Sequence, residues 1–197
     1  MTHVWALLLD RPLSGTEESE LMAMLPPLRR ERLCRVRLPE KRQEALCAYM
    51  ILRRALREQY RWEEIPPMDW DARQKPFFPD FPQVQFNLSH TRGAVLAAVS
   101  NQPVGADIEQ IRPLSSLAQR RLAGAVDEGT FFQNWVRREA IGKWQGTGVW
   151  PHEQEPVCPP ESRFVVLDTF PGYAAGVCVC AGAVPVELHR ERLTQIL

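Results

Sequence analysis

Asp107 and Glu109 stand two residues apart in VGADIE, and Glu139 and Lys143 stand four apart in NWVRREAIGKWQ. Side chains alternate between the faces of a strand, so an Asp-x-Glu puts both carboxylates on one face, about 6–7 Å apart along the chain. On a helix, steps of three and four share a stripe, and Glu139 and Lys143 continue that of Phe132, Trp135 and Val136. Each pair alone has an ordinary explanation: a solvated strand face for the first, and for the second a surface Glu–Lys pair worth ~0.3–0.5 kcal/mol. Together, Asp107, Glu109 and Glu139 make an all-oxygen set drawn from two elements. Hard oxygen ligands without cysteine or histidine favour magnesium, which keeps waters and takes a substrate phosphate as well.

A phosphate needs cations, and the usual cradle is missing. No G-x-x-x-x-G-K-[ST] occurs, and Gly142-Lys143-Trp144-Gln145-Gly146 has the wrong order for one. What remains is a scattered set, Arg29, Arg32, Lys75, His90 and Lys143, of the kind that holds a diphosphate by charge-assisted hydrogen bonds. Ser89 and His90 are neighbours in a strand-like run and point to opposite faces, so they suit ligand binding better than a nucleophile and its base.

Several elements must position these residues. A strand is expected over 4–9, a helix from about 16 to 25 stopped by Pro26-Pro27, a short basic helix over 28–35 and a long helix over 39–60. Residues 62–82 are rich in proline and aromatics without periodicity. The apolar run 94–99, the turn residues Asn101-Gln102-Pro103 and the extended run 104–109 predict a hairpin ending in the two acids. A loop with one helix is expected over 110–125, an amphipathic helix over 130–145 stopped by Gly146, and a second hairpin of 163–168 and 173–181 turning at Phe170-Pro171-Gly172. Helix then hairpin thus occurs twice. That order predicts an α+β fold of two similar halves, residues 1–102 and 103–197, with a ligand cleft between them.

Composition narrows the classes. The 197 residues are 45% hydrophobic, which allows a proper core, and 24 basic residues balance 24 acidic ones. No global charge points to nucleic acid or a membrane surface, although residues 1–62 hold 12 basic against 8 acidic side chains. Five cysteines without a C-x-x-C pair argue against disulfides or a zinc finger and for a reducing cytoplasm. The first apolar run is too short for a signal peptide or a membrane span.

The stretches LDRPLS, PPLRRERLCR, QKPFFPDFPQVQFNLSH, QPVGADIEQIRPLS, NWVRREAIGKWQGTGV and PGYAAGVCVCAG occur in an order and spacing that resembles the 4'-phosphopantetheinyl transferases of the surfactin-synthetase-activating (Sfp) type. The resemblance implies a pseudo-twofold pair of α+β halves binding coenzyme A between them. It also implies transfer of the phosphopantetheine arm to a serine of an apo acyl or peptidyl carrier protein, releasing adenosine 3',5'-bisphosphate. A two-halved chain has less need of a partner subunit, so a monomer is expected. By position, Asp107, Glu109 and Glu139 would be the magnesium ligands, and Asp107, Glu139 and Lys143 the catalytic set. Arg29, Arg32, Lys75, Ser89, His90 and Lys143 would contact the coenzyme. The chain departs from the family pattern in two places. Glu44 stands where an arginine for the coenzyme's 3'-phosphate is usual, with Arg42 the nearest substitute. The stretch between Arg112 and Trp135 is short, leaving Glu128 as the nearest match to a further acid proposed as base. A coenzyme-binding homologue without turnover and a magnesium-dependent phosphohydrolase are the alternative readings.

Overall fold

Residues 2–8, THVWALL, contain no proline or glycine and bury Val4, Trp5, Ala6 and Leu7 almost completely, as a strand flanked on both sides must. In the computed structural model, which describes residues 1–73, 75–114, 127–147, 158–182 and 185–196, this segment is β1 (Thr2–Leu8). Ser14 then caps α1 (Gly15–Ala23): its hydroxyl accepts from Glu17 N, and Glu17 reaches back to Ser14 N. Prolines at the first turn open both α2 (Pro27–Cys34) and α3 (Pro39–Tyr60), where a missing N–H costs nothing. The long helix lays Ala45, Leu46, Tyr49, Leu52, Ala55 and Leu56 onto Trp5, Leu7, Val95, Ala97 and Val99, forming the larger core. Two short strands, β2 (Asp69–Trp70) and β3 (Pro76–Phe77), lie in the proline-rich connection.

The chain continues as β4 (Gln85–Thr91) and β5 (Ala94–Ser100), joined through Arg92-Gly93, where Gly93 takes φ 78°. A two-residue hairpin turn needs such a positive φ, and glycine supplies it without strain. The hairpin expected between residues 94–99 and 104–109 does not form. Strand β5 is buried along its whole length between β4 and β1 and has no free edge. After Ser100 the chain crosses to another sheet as β6 (Val104–Gln110), entered through Pro103, which has no N–H to donate.

That second sheet has the order β6-β8-β7, with β7 (Ser162–Val166) and β8 (Tyr173–Cys180) forming the expected hairpin around Gly172. The first sheet has the order β4-β5-β1-β9. Its edge strand β9 (Val186–Arg192) runs parallel to β1 and leads into the short α5 (Leu193–Ile196). The division expected between residues 102 and 103 is therefore crossed, because a C-terminal strand completes the N-terminal sheet. One face of the first sheet meets α3, and the other meets the second sheet through Val4, Ala6, Leu96, Ala98, Val104, Ala106, Ile108, Val177 and Val179. The far face of the second sheet carries α4 (Glu128–Gln145).

The molecule is thus a mixed α+β layered structure. No helix among the described residues is long and apolar enough to cross a membrane. The helix expected within 110–125 falls largely outside the described residues.

Candidate functional site

Edge strands β4 and β6 belong to different sheets, yet they are stitched together by side chains. The alternate residues Asn87, Ser89 and Thr91 of β4 accept hydrogen bonds from the backbone N–H groups of Ala106, Ile108 and Gln110. A buried strand edge would otherwise leave those donors unpaired, each at a cost of about 1–3 kcal/mol. The two hydroxyls among them then donate onward: Ser89 Oγ to Asp107 Oδ1 at 2.7 Å, and Thr91 Oγ1 to Glu109 Oε2 at 3.0 Å. The seam that joins the sheets therefore also orients the two acids.

Asp107 is 4% exposed. Its Oδ1 accepts from Ser89 Oγ and, at 2.6 Å, from Lys143 Nζ. Its Oδ2 is buried without any hydrogen bond. Burial pushes the carboxyl above its ordinary value, Lys143 and Ser89 oppose that, and the charge of Glu109 adds to it. Glu139 on α4 is half-buried and raised in the same sense, first by burial and then by Asp107 and Glu109, against the pull of Lys143. The three carboxylates thus feel one another's charge across β6 and α4. Their ligand atoms do not all lie within 4.8 Å of one another.

Helix α4 comes close enough because of one residue. A Cβ at Gly105 would run into Ala140 O and Trp144 N, so only glycine lets the helix backbone rest on β6 there. Lys143 consequently reaches Ala106 O at 3.2 Å as well as Asp107. The surface pair of Glu139 with Lys143 considered from sequence gives way to a cross-element pair of Lys143 with Asp107. Lys75, from the proline-rich connection, donates to Val104 O and Lys143 O at 3.2 and 3.0 Å, and burial lowers its pKa. A second ammonium thus sits at the same junction of β6 and α4.

The remaining residues lie further out. Ser89 faces the seam while His90 faces away, its Nδ1 3.3 Å from Glu44 Oε2. Glu44 is 3% exposed and also pairs with Lys41 at 2.8 Å, so one buried carboxylate occupies both Lys41 and the His90 ring. Arg29 stacks over Tyr49 at 4.5 Å and Arg32 over Trp70 at 4.0 Å. Glu109 Oε2 also takes a hydrogen bond from Arg112 at 3.2 Å. A cavity of about 330 Å³ opens beside it, lined by Arg112, Leu114, Phe131, Phe132 and Trp135. Glu128 is exposed in the first turn of α4, eleven residues before Glu139 and hence about 16 Å from it along the helix axis.

Sequence reasoning passed over Asn87, Thr91 and Gly105. Their signals were present: small polar residues at 87, 89 and 91 alternating with Phe86 and Leu88, and a glycine inside a strand, which marks a close backbone approach.

A buried carboxylate oxygen with no partner, inside a set of all-oxygen donors, fits a hard divalent cation. No protein-family model matches the chain. Curated relatives match it over nearly its full length. It is 29% identical to the 4'-phosphopantetheinyl transferase Sfp of Bacillus subtilis over 98% of this chain and 99% of that protein. It is 28% identical to the 4'-phosphopantetheinyl transferase ffp of Bacillus subtilis over 94% of this chain and 95% of that one. The 4'-phosphopantetheinyl transferase HetI of a Nostoc species is 29% identical over 93% of this chain and 86% of its own. The likeness carried by the motifs is therefore found along the whole chain.

Proposed function

We propose that this protein transfers the 4'-phosphopantetheine arm of coenzyme A to a serine hydroxyl of an apo acyl or peptidyl carrier protein, releasing adenosine 3',5'-bisphosphate. The observation that carries the reading is Asp107: buried, gripped on one oxygen by Ser89 and Lys143, and bare on the other. Such a residue is prepared for a cation and the phosphate that accompanies it, and the near full-length relatives carry that activity in their names.

Asp107, Glu109 and Glu139 would hold magnesium, which supplies charge neutralisation to the non-bridging oxygens of a diphosphate. The chain's own groups do the rest. A new bond forms between the serine oxygen and the β-phosphorus, and the bond from that phosphorus to the bridging oxygen breaks. Lys143 Nζ, held at the head of β6, stands where charge develops on the diphosphate. Lys75, beside it, offers a second positive charge. A carboxylate at this junction would accept the serine proton. The apolar cavity next to Glu109 offers room for the pantetheine arm or a carrier side chain. Arg29, Arg32 and His90 would contact the coenzyme in this reading, whereas Ser89, buried in the seam, would act through Asp107. Five free thiols agree with a reducing cytoplasm.

Intact-mass analysis of an apo carrier incubated with the protein, coenzyme A and magnesium tests this. The account expects one added phosphopantetheine, abolished by Asp107→Ala. Coenzyme binding without transfer to any of several carriers would replace it by a binding protein, and release of inorganic phosphate from small phosphoesters by a phosphohydrolase.

A further inference from the structure

Far from the acids, the start of β1 and the edge strand β9 bring together a second set of ligating groups. His3 lies opposite Glu187 in the parallel register, and His189 is two residues further on, on the face it shares with Glu187. His3 Nδ1 is 3.1 Å from Glu187 Oε2, His189 Nε2 is 3.8 Å from Glu187 Oε1, and one ligand atom from each residue lies within 4.8 Å of the others. Among the described residues no other three histidine, cysteine or acidic side chains meet that condition.

The two imidazole nitrogens on the inside of this set are buried. His189 Nε2 makes no hydrogen bond, 3.8 Å being too long for one, and His3 Nδ1 meets the Glu187 carboxylate alone, at 3.1 Å. Their rings are held in place: His189 stacks on Trp5 at 4.4 Å and 12°, and on His3 at 6.2 Å and 23°. Trp5 is 1% exposed, so the platform beneath His189 is part of the core.

We infer that His3, Glu187 and His189 form a binding site for a divalent transition-metal cation, with zinc as the representative ion. Two neutral imidazoles and one carboxylate are the ligand set that zinc accepts, at bonds of about 2.0–2.2 Å, with water in the fourth position. Magnesium prefers oxygen alone, so the two ions would sort between the two sites. Bound there, the cation would tie residue 3 to residues 187 and 189 and pin the edge strand that closes the first sheet.

The test uses untagged full-length protein in excess magnesium, titrated with zinc chloride by calorimetry and with cobalt(II) by absorption. The expected result is one equivalent of zinc bound, a cobalt spectrum without thiolate charge-transfer bands, and a thermal midpoint that rises with zinc. Glu187→Gln, a half-exposed position, should weaken zinc binding about 10- to 100-fold and cancel the thermal rise while leaving carrier modification unchanged. His3→Gln tests the same set from the other strand. Zinc affinity unchanged in both variants, a thiolate band in the cobalt spectrum, or no zinc bound by the wild type would each overturn the assignment.

Discussion

Ser89 and Lys143 converge on one oxygen of Asp107 and leave the other bare, and the chemistry of the site follows from that asymmetry. Because burial raises the folded-state pKa of Asp107, the folded protein holds that proton more tightly than the unfolded chain does. The stability linked to this group is fully present below the ordinary carboxylate value of 3.8 and is lost as pH rises through the higher folded value. Asp107→Asn, with divalent ions chelated, should therefore be as stable as wild type or more so at neutral pH, by about 0.5–2 kcal/mol. The difference should fade below the ordinary value, as read by urea unfolding across pH. Glu44 offers a second check. A buried carboxylate that occupies Lys41 and His90 competes with an incoming phosphate for both, so Glu44→Gln should tighten coenzyme A binding about tenfold by calorimetry, roughly 1.4 kcal/mol. The shared face of Asp107 and Glu109 was legible from a period of two. The partner of Lys143 was not, because local spacing offered Glu139 and only the docking of α4 supplies Asp107.

Helix α4 owes its position to Gly105. A methyl group there must push the helix from β6 and carry Glu139 and Lys143 with it. Gly105→Ala should cost about 1–3 kcal/mol of stability from overpacking. Carrier modification should fall more steeply, because a displacement of about 1 Å at reacting groups can cost about 100-fold in rate. Thermal melts and kcat measured together check both. The helices were readable from their apolar spacing and first-turn prolines, and the long one keeps its expected bounds of Pro39–Tyr60. Strand pairing was less readable. Asn101-Gln102-Pro103 has turn chemistry, but the strands on either side join different sheets, since the wholly apolar 94–99 needs cover on both faces, and 104–109 supplies part of it on the face away from α3.

At the scale of the molecule, two sheets face each other over a small-residue core, and their edges are sewn by Asn87, Ser89 and Thr91. The composition and the helix-hairpin order were enough to read an α+β class, but the return of β9 to the first sheet was not, because parallel pairing of residues 2–8 with 186–192 leaves no local mark. The seam places the acids between the sheets and α4, and the account depends on their acting as one cation site. Magnesium titration by calorimetry in the presence of coenzyme A, on the wild type and on Asp107→Ala, Glu109→Ala and Glu139→Ala, measures that directly. The account predicts one magnesium site in the wild type, weakened at least tenfold by each substitution; magnesium bound equally well by Glu139→Ala would contradict it.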